Sequence, residues 1–326
     1  ELVRAKLMAA DLDAVALCDD FVAPDSAQME QALERLSERA PLGSSDMNAV
    51  LRGALAGFEQ SSSPSQYIIY IGDGISRANI LQPEEFQELV KQLVKAQVSV
   101  SSYAIGPERD VHLLAALANH TGGMVYLDAT TERVSQTAGA AMARGGRTPV
   151  IWPMSGTPPE AMRESYPNIM PPLRLDRDSI LIGTLDKRTE MKIKIQAELE
   201  GEPIALQWDV EPEPSNDEFS FLPALVEQAR KSGGLTLATV GSTGLREVGR
   251  MIMASAENLA EIGSQAIQTG DLEGARKMAE AGLRRDPNNP RAQAILRAIE
   301  KKEGSKSDDD SLIIKSPETK KAKKQP

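Results

Sequence analysis

Ile68-Ile69-Tyr70-Ile71-Gly72-Asp73-Gly74-Ile75-Ser76 runs from β-branched and aromatic side chains straight into an Asp-Gly pair. Side chains of that kind fit a pleated, buried surface. A continuous apolar run, without a polar residue at every second position, belongs to a strand covered on both faces, as in a parallel sheet. In an open parallel sheet, ligands sit beyond the carboxyl ends of the strands. Asp73 falls at that place, and Gly74 lets the backbone turn away tightly. A carboxylate there suits a hard cation such as Mg²⁺, which takes oxygen ligands. The same Asp-Gly pair also serves simply as a turn.

Outward from this strand the chain alternates between the two periodicities. Asp13-Ala-Val-Ala-Leu-Cys18 reads as a short buried strand, 27–40 and 46–59 have helical spacing, and 67–72 is the strand already quoted. Residues 83–96 read as a helix with Pro83 in its first turn, 98–105 as a strand and 108–120 as a helix ending at Gly122-Gly123. Met124–Asp128 reads as a strand and 130–144 as a helix ending in Gly145-Gly146. Alternation of this kind implies a parallel sheet with helices on both faces. Glu1-Leu-Val-Arg-Ala-Lys-Leu-Met8 reads as the tail of a helix already under way, which places the start of that element upstream.

The second informative segment is Leu42-Gly43-Ser44-Ser45-Asp46-Met47-Asn48-Ala49, in the loop before an amphipathic helix. Ser44, Ser45 or Asp46 would each serve as its N-cap. The alternative is that the Ser45 hydroxyl joins Asp73 around a metal ion. Together the two segments resemble the von Willebrand factor A (VWA) domain, whose metal-ion-dependent adhesion site is built from three loops. Gly43-Ser44-Ser45-Asp46-Met47 resembles the second loop, with Ser45 in place of its Thr, and Ile71-Gly72-Asp73-Gly74 resembles the third. Tyr103-Ala-Ile-Gly106 at the end of the next strand agrees in order, and the resemblance covers about residues 1–145.

The Asp-x-Ser-x-Ser of the first loop does not occur in this sequence. Of the ligand set that the resemblance implies, only Ser45 and Asp73 are therefore supplied. The expectation is a chain that begins after the central strand of the family, the alternative being a degenerate site. Mg²⁺, or else Mn²⁺ or Ca²⁺, would be held only together with that strand, and the neighbouring strand edges would be left unpaired without it.

Seven prolines fall between 149 and 172, so 147–175 reads as a linker or meandering connection. Ser179–Leu185, Glu190–Ile195 and Ile204–Trp208 then read as short strands of a small β module, the middle one alternating and half-buried. Tyr166-Pro167-Asn-Ile-Met-Pro171-Pro172-Leu173 and Ile180-Leu-Ile-Gly183 resemble the stretch after the VWA domain in inter-alpha-trypsin-inhibitor heavy-chain-like proteins. From 219 to 303 the chain reads as helical. Leu259, Ile262, Gly263, Ala266, Ala275, Ala279, Gly282 and Pro287 follow the spacing of a tetratricopeptide repeat (TPR) at 256–289, and a generic helical hairpin would satisfy most of that pattern. Small residues at 263, 266 and 275 allow two helices to approach closely. One repeat and a half defines no concave binding surface.

The fold class expected is thus α/β, an open and mostly parallel Rossmann-like (VWA) sheet, followed by a small β module and an α-helical TPR-like region. The divisions are 1–146, 147–217, 218–303 and a Ser-, Asp- and Lys-rich tail at 304–326 that reads as disordered.

Composition narrows the function. The 326 residues are 41% hydrophobic and 26% charged, as in ordinary globular chains, and the formal net charge is −10, which argues against a nucleic-acid partner. The single cysteine, Cys18, excludes an internal disulfide framework and a cysteine-based zinc site. No apolar run is long enough to span a bilayer. The stretch at 72–77 has Arg77 where a dinucleotide fingerprint needs glycine, and no phosphate-binding P-loop or nucleophile elbow occurs. His112 and His120 read as partly exposed residues of one helix, Asp19-Asp20 as a solvated turn, and Met251, Ile252 and Met253 as core.

The expected function is a binding module and not an enzyme, in which a carboxylate of a protein partner completes the shell of a Mg²⁺ ion at Ser45 and Asp73. The alternative is a metal-free scaffold that binds partners through its TPR-like helices. A hydrolase using Asp73 and a histidine lacks an acid–base pair at usable spacing. The compartment is left open, with the cell envelope or secretion ahead of the cytoplasm.

Overall fold

The computed structural model of the chain describes residues 3–40, 43–58, 63, 65–127, 134–157 and 161–310. The described residues divide into two units, Glu1–Pro214 with Val226–Val248, and Ser215–Leu225 with Gly249–Pro326.

In the first unit, β3 (Gln66–Gly72), β4 (Val98–Ala104) and β5 (Val125–Leu127) form a parallel sheet in the order β3-β4-β5. Parallel neighbours need crossover connections, and here α3 (Pro83–Lys95) and α4 (Val111–Thr121) supply them. The register Ile68↔Val100 puts Ile68, Tyr70, Val98, Val100 and Ala104 on one face. They pack against Met47 and Leu51 of α2 (Met47–Ala56), Phe86, Leu89 and Leu93 of α3, and Leu114 and Leu117 of α4. On the other face Tyr103 packs on Ala138 and Met142 of α5 (Val134–Arg147). Ile69 and Ile71 share that face and stay exposed. The helices start where their sequences provide caps. Ser26 accepts from the Met29 amide before α1 (Ala27–Ser37), Asp46 from Ala49 before α2, and Asp110 from Leu113 before α4. Pro83 occupies the first turn of α3.

Several expectations are corrected. The segment read as a helix tail contains a strand, β1 (Met8–Ala10), which pairs antiparallel with β2 (Ala14–Ala16). That hairpin, and not the parallel sheet, takes the 13–18 segment. The Pro-rich 147–175 stretch carries β6 (Val150–Thr157), β7 (Met162–Tyr166) and β8 (Leu173–Arg174). With β9 (Ile182–Leu185), β10 (Met191–Leu199) and β11 (Glu202–Val210) they form a sheet of order β11-β10-β6-β8 and a β7-β9 pair. Pro153, which cannot donate to a ladder, lies opposite Ala197, where the β6–β10 register shifts. Its other flank is not engaged, because β8 pairs only with Val150 and Ile151. The proline is thus accommodated at an irregularity next to a half-free edge.

The second unit draws on α6 (Leu222–Ser232) and α7 (Gly241–Thr269), within which the division falls, and contains α8 (Leu272–Arg285) and α9 (Pro290–Asp310). Its core is built largely of alanines: Ala260, Ala275, Ala279 and Ala292 are fully buried beside Ile295 and Ile299. A methyl group on Gly263 would sit 3.3 Å from the Ala275 carbonyl oxygen, so small residues do set this close approach. Of the three residues read as core on α7, only Ile252 is buried, while Met251 and Met253 face solvent. Helix α9 continues past residue 303, where a disordered tail was expected to begin, and 311–326 lie outside the described residues. His112 is exposed, whereas His120 is buried, because it lies on the inner side of the last turn of α4. No helix among the described residues is long and apolar enough to cross a membrane.

Candidate functional site

The carboxyl end of β3 meets the amino end of α2, and Ile75 joins them. The Asp73 carboxylate accepts the Ile75 amide at 2.9 Å, and the Ser45 hydroxyl donates to the Ile75 carbonyl at 3.1 Å. One peptide unit on each side of Ile75 thus ties together the two side chains singled out in the sequence. Further bonds fix both loops. The Ala78 amide donates to the Ser45 carbonyl at 3.1 Å, and the Asp110 amide to the Asp73 carbonyl at 2.8 Å. Ser76 Oγ accepts from the Met47 amide at 3.0 Å and donates to the Asn79 carbonyl at 2.5 Å. Gly74 takes a φ of 74° with Leu114 close behind it, where a methyl group would lie 2.8 Å from that side chain, so both conformation and space call for glycine.

Of the three candidate caps, Asp46 takes the role, which leaves Ser45 free to turn toward Ile75. The Asp46 amide in turn donates to the Asp11 carbonyl at 3.0 Å, and Asp11 pairs with Arg39 at 3.0 Å. Beneath the turn, Tyr70 Oη accepts the Gly74 amide at 3.3 Å. Burial pushes the Tyr70 phenol above its ordinary pKa, and the Asp73 charge adds to that, while the Gly74 bond opposes it. Arg77 and Glu108 form an exposed ion pair at 2.9 Å on the rim.

As a metal centre this arrangement is partial. Ser45 Oγ uses its proton on Ile75 and keeps lone pairs, and the second Asp73 oxygen accepts no hydrogen bond among the described residues. Both are hard oxygen donors of the type Mg²⁺ takes, so the pair fits part of such a shell. No group of three or more His, Cys, Asp or Glu side chains among the described residues is placed to hold a metal ion. Ile75, Ser76 and Asp110 were not anticipated. Their contribution is mainly through backbone groups, and only Ser76, a hydroxyl just past a turn glycine, carried a sequence signal.

Residues 2–127 match the family model of the von Willebrand factor type A domain. The α/β part of the first unit is thus VWA-like, with the parallel sheet β3-β4-β5 and its helices. Several solved structures are similar to the chain, three of them as follows. A von Willebrand factor type A protein from Catenulispora acidiphila is 13% identical, with 93% of this chain and 72% of that chain covered and a TM-score of 0.48. The human COPII-coat protein Sec24c is 10% identical, with 79% of this chain covered and a TM-score of 0.46, and this chain spans 44% of its length. The ArnB paralog VWA2 from Sulfolobus acidocaldarius is 12% identical, with 86% and 72% covered and a TM-score of 0.38. No curated protein matches the chain.

Proposed function

We propose that the VWA-like domain is a metal-ion-dependent protein-binding module of adhesion type, and not an enzyme. The observation that carries this is the convergence of Ser45 and Asp73 on Ile75 at the carboxyl end of β3. Asp73 would lend charge and Ser45 a neutral oxygen to Mg²⁺, or to Mn²⁺ or Ca²⁺, with other donors completing the shell. The ion, when bound, offers a positive centre to a carboxylate of a protein partner. The chain's own part is to hold the loops in place in advance, through Ser76, Ala78 and Asp110, so that little ordering entropy is lost on docking. Calorimetric titration with Mn²⁺ and Mg²⁺ tests the reading. Heat in the native protein that disappears in Asp73→Ala supports it, and heat unchanged by Asp73→Ala overturns it.

A second reading is favoured by the close-packed helices of the second unit, whose alanine core holds α8 and α9 together. In it the VWA-like domain is structural, and TPR-like helices bind partners without metal. Partner capture that survives both EDTA and Asp73→Ala, but is lost on deleting 254–303, distinguishes it. The likeness of 150–210 to inter-alpha-trypsin-inhibitor heavy-chain-like proteins belongs to this proposal too, as a module that accompanies the VWA-like domain.

A further inference from the structure

We propose that residues 233–240 form a strap on the last turn of α4, released when His120 takes up a proton. The strap is Gly233-Gly234-Leu235-Thr236-Leu237-Ala238-Thr239-Val240, and it carries no titratable side chain. Two side chains of α4 hold it from below. His120 Nε2 bonds the Leu235 carbonyl at 2.8 Å and Asn119 Nδ2 donates to the Leu237 carbonyl at 3.3 Å. Since a carbonyl only accepts, Nε2 carries the proton of the neutral imidazole. The ends of the strap are hinge-like. Gly233, Gly234 and Gly241 have φ of 61°, 81° and 68°, a region open to glycine at little cost. The Asn168 amide anchors the Gly233 carbonyl at 3.1 Å, and Ser242 donates to Asp178 just past the other end.

Two features bias this strap toward opening. First, several buried polar atoms have no hydrogen-bond partner among the described residues: Thr239 Oγ1 on the strap itself, and Arg177 Nε and Nη1 and Ser179 Oγ on either side of Asp178, the partner of Ser242, with Arg177 Nη2 donating to the Ala118 carbonyl at 3.4 Å. Each such group forgoes hydration without a bond in return, so local opening recovers part of that cost. Second, burial holds the His120 imidazole below its ordinary pKa, although the Leu235 and Gly234 carbonyls favour the proton. Two arginines reach the last turn of α4, Arg174 bonding the Gly122 carbonyl and Arg177 the Ala118 carbonyl, and Asp176 engages Arg174 at 2.7 Å. Of the elements packed on α4, β4 and β5 contribute only Tyr103 and Tyr126 as titratable side chains, α3 carries Glu84, Glu88, Lys91 and Lys95 exposed and Glu85 half-buried, and α4 itself adds only the exposed His112.

The sign follows from linkage. The opened strap leaves the imidazole hydrated and more basic than in the closed state, so protons favour opening. With an opened-state pKa of about 6.5, the opening equilibrium rises by up to about tenfold between pH 7.5 and pH 5.5.

Hydrogen exchange by mass spectrometry on the whole chain, at pH 7.5 and 5.5 and corrected for intrinsic rates, tests this. The expected result is a loss of protection in the strap at the lower pH, by up to about tenfold, with 66–72 and 98–104 unchanged. His120→Gln, which can still donate to Leu235, should abolish that pH dependence, and Asn119→Ala should loosen the strap at both pH values alike. Equal protection at the two pH values, the same dependence in His120→Gln, or simultaneous loss in both strands would overturn the proposal. Should His120→Gln not fold, proton NMR of the native protein decides. Leu235 and Leu237 amide shifts that follow the His120 midpoint support it, and shifts that ignore His120 refute it.

Discussion

A methyl group on Gly123 would lie 1.7 Å from the Val100 carbonyl oxygen, in the interior of β4. Backbone cannot yield there, so Gly123→Ala should cost about 3 kcal/mol or more in urea unfolding. Gly139, inside α5, has nothing within 4 Å of that position, and Gly139→Ala should raise stability by about 0.5–1 kcal/mol in the same assay. At this scale the candidate site was half legible. Ser45 and Asp73 were readable as oxygen donors near strand and helix ends. The join between them was not, because Ile75 makes it with its amide and carbonyl, which every residue possesses. His120 was misjudged for a related reason: its burial depends on a segment more than a hundred positions away, through the Leu235 carbonyl.

Between elements, the β7–β9 pair is locked to α6 by one carboxylate. Arg230 donates two bonds to Glu164, and Thr184 and Tyr166 donate one each. The Arg230 guanidinium, with help from those hydroxyls, holds the Glu164 carboxyl at about 2, below its usual 4.5. A depressed folded-state value means the stabilisation is complete above pH 4.5 and fades as pH falls toward 2. Unfolding free energy measured from pH 5 to pH 2 should therefore fall more steeply in the native protein than in Glu164→Gln. In the second unit, Asp271 caps α8 through the Gly274 amide at 2.8 Å, and Asp271→Ala should cost about 1 kcal/mol by thermal unfolding. Elements with long, clean periodicity were legible: β3, β4, α3 and α4 fall within a few residues of their expected bounds. Three-residue β1 has no period to read, and its surroundings favour helix by composition. The strands β6 to β8 were hidden by prolines, which signal a break unless, as at Pro153, a register shift absorbs them.

Across the whole molecule the two units rest on different kinds of interior. The first interlocks large side chains such as Leu89, Leu93, Leu114 and Leu117, all at most 1% exposed. Leu89→Ala should cost about 3 kcal/mol there, seen as reduced exchange protection in 98–104 while 275–283 keeps its own. The order of elements in the first unit was legible because each crossover helix announces a parallel neighbour; the pairing of β1 with β2 was not, since a hairpin leaves only a short local trace. The second unit stacks alanines, and this bears on how its gene can drift. One base change turns an alanine codon into serine, threonine, proline, valine, glycine, aspartate or glutamate. Only serine and glycine come close to fitting at Ala260, Ala275, Ala279 or Ala292, and both are poorer helix formers. Lineages should therefore hold these four positions nearly still, while the leucine positions of the first unit exchange among Leu, Ile and Met.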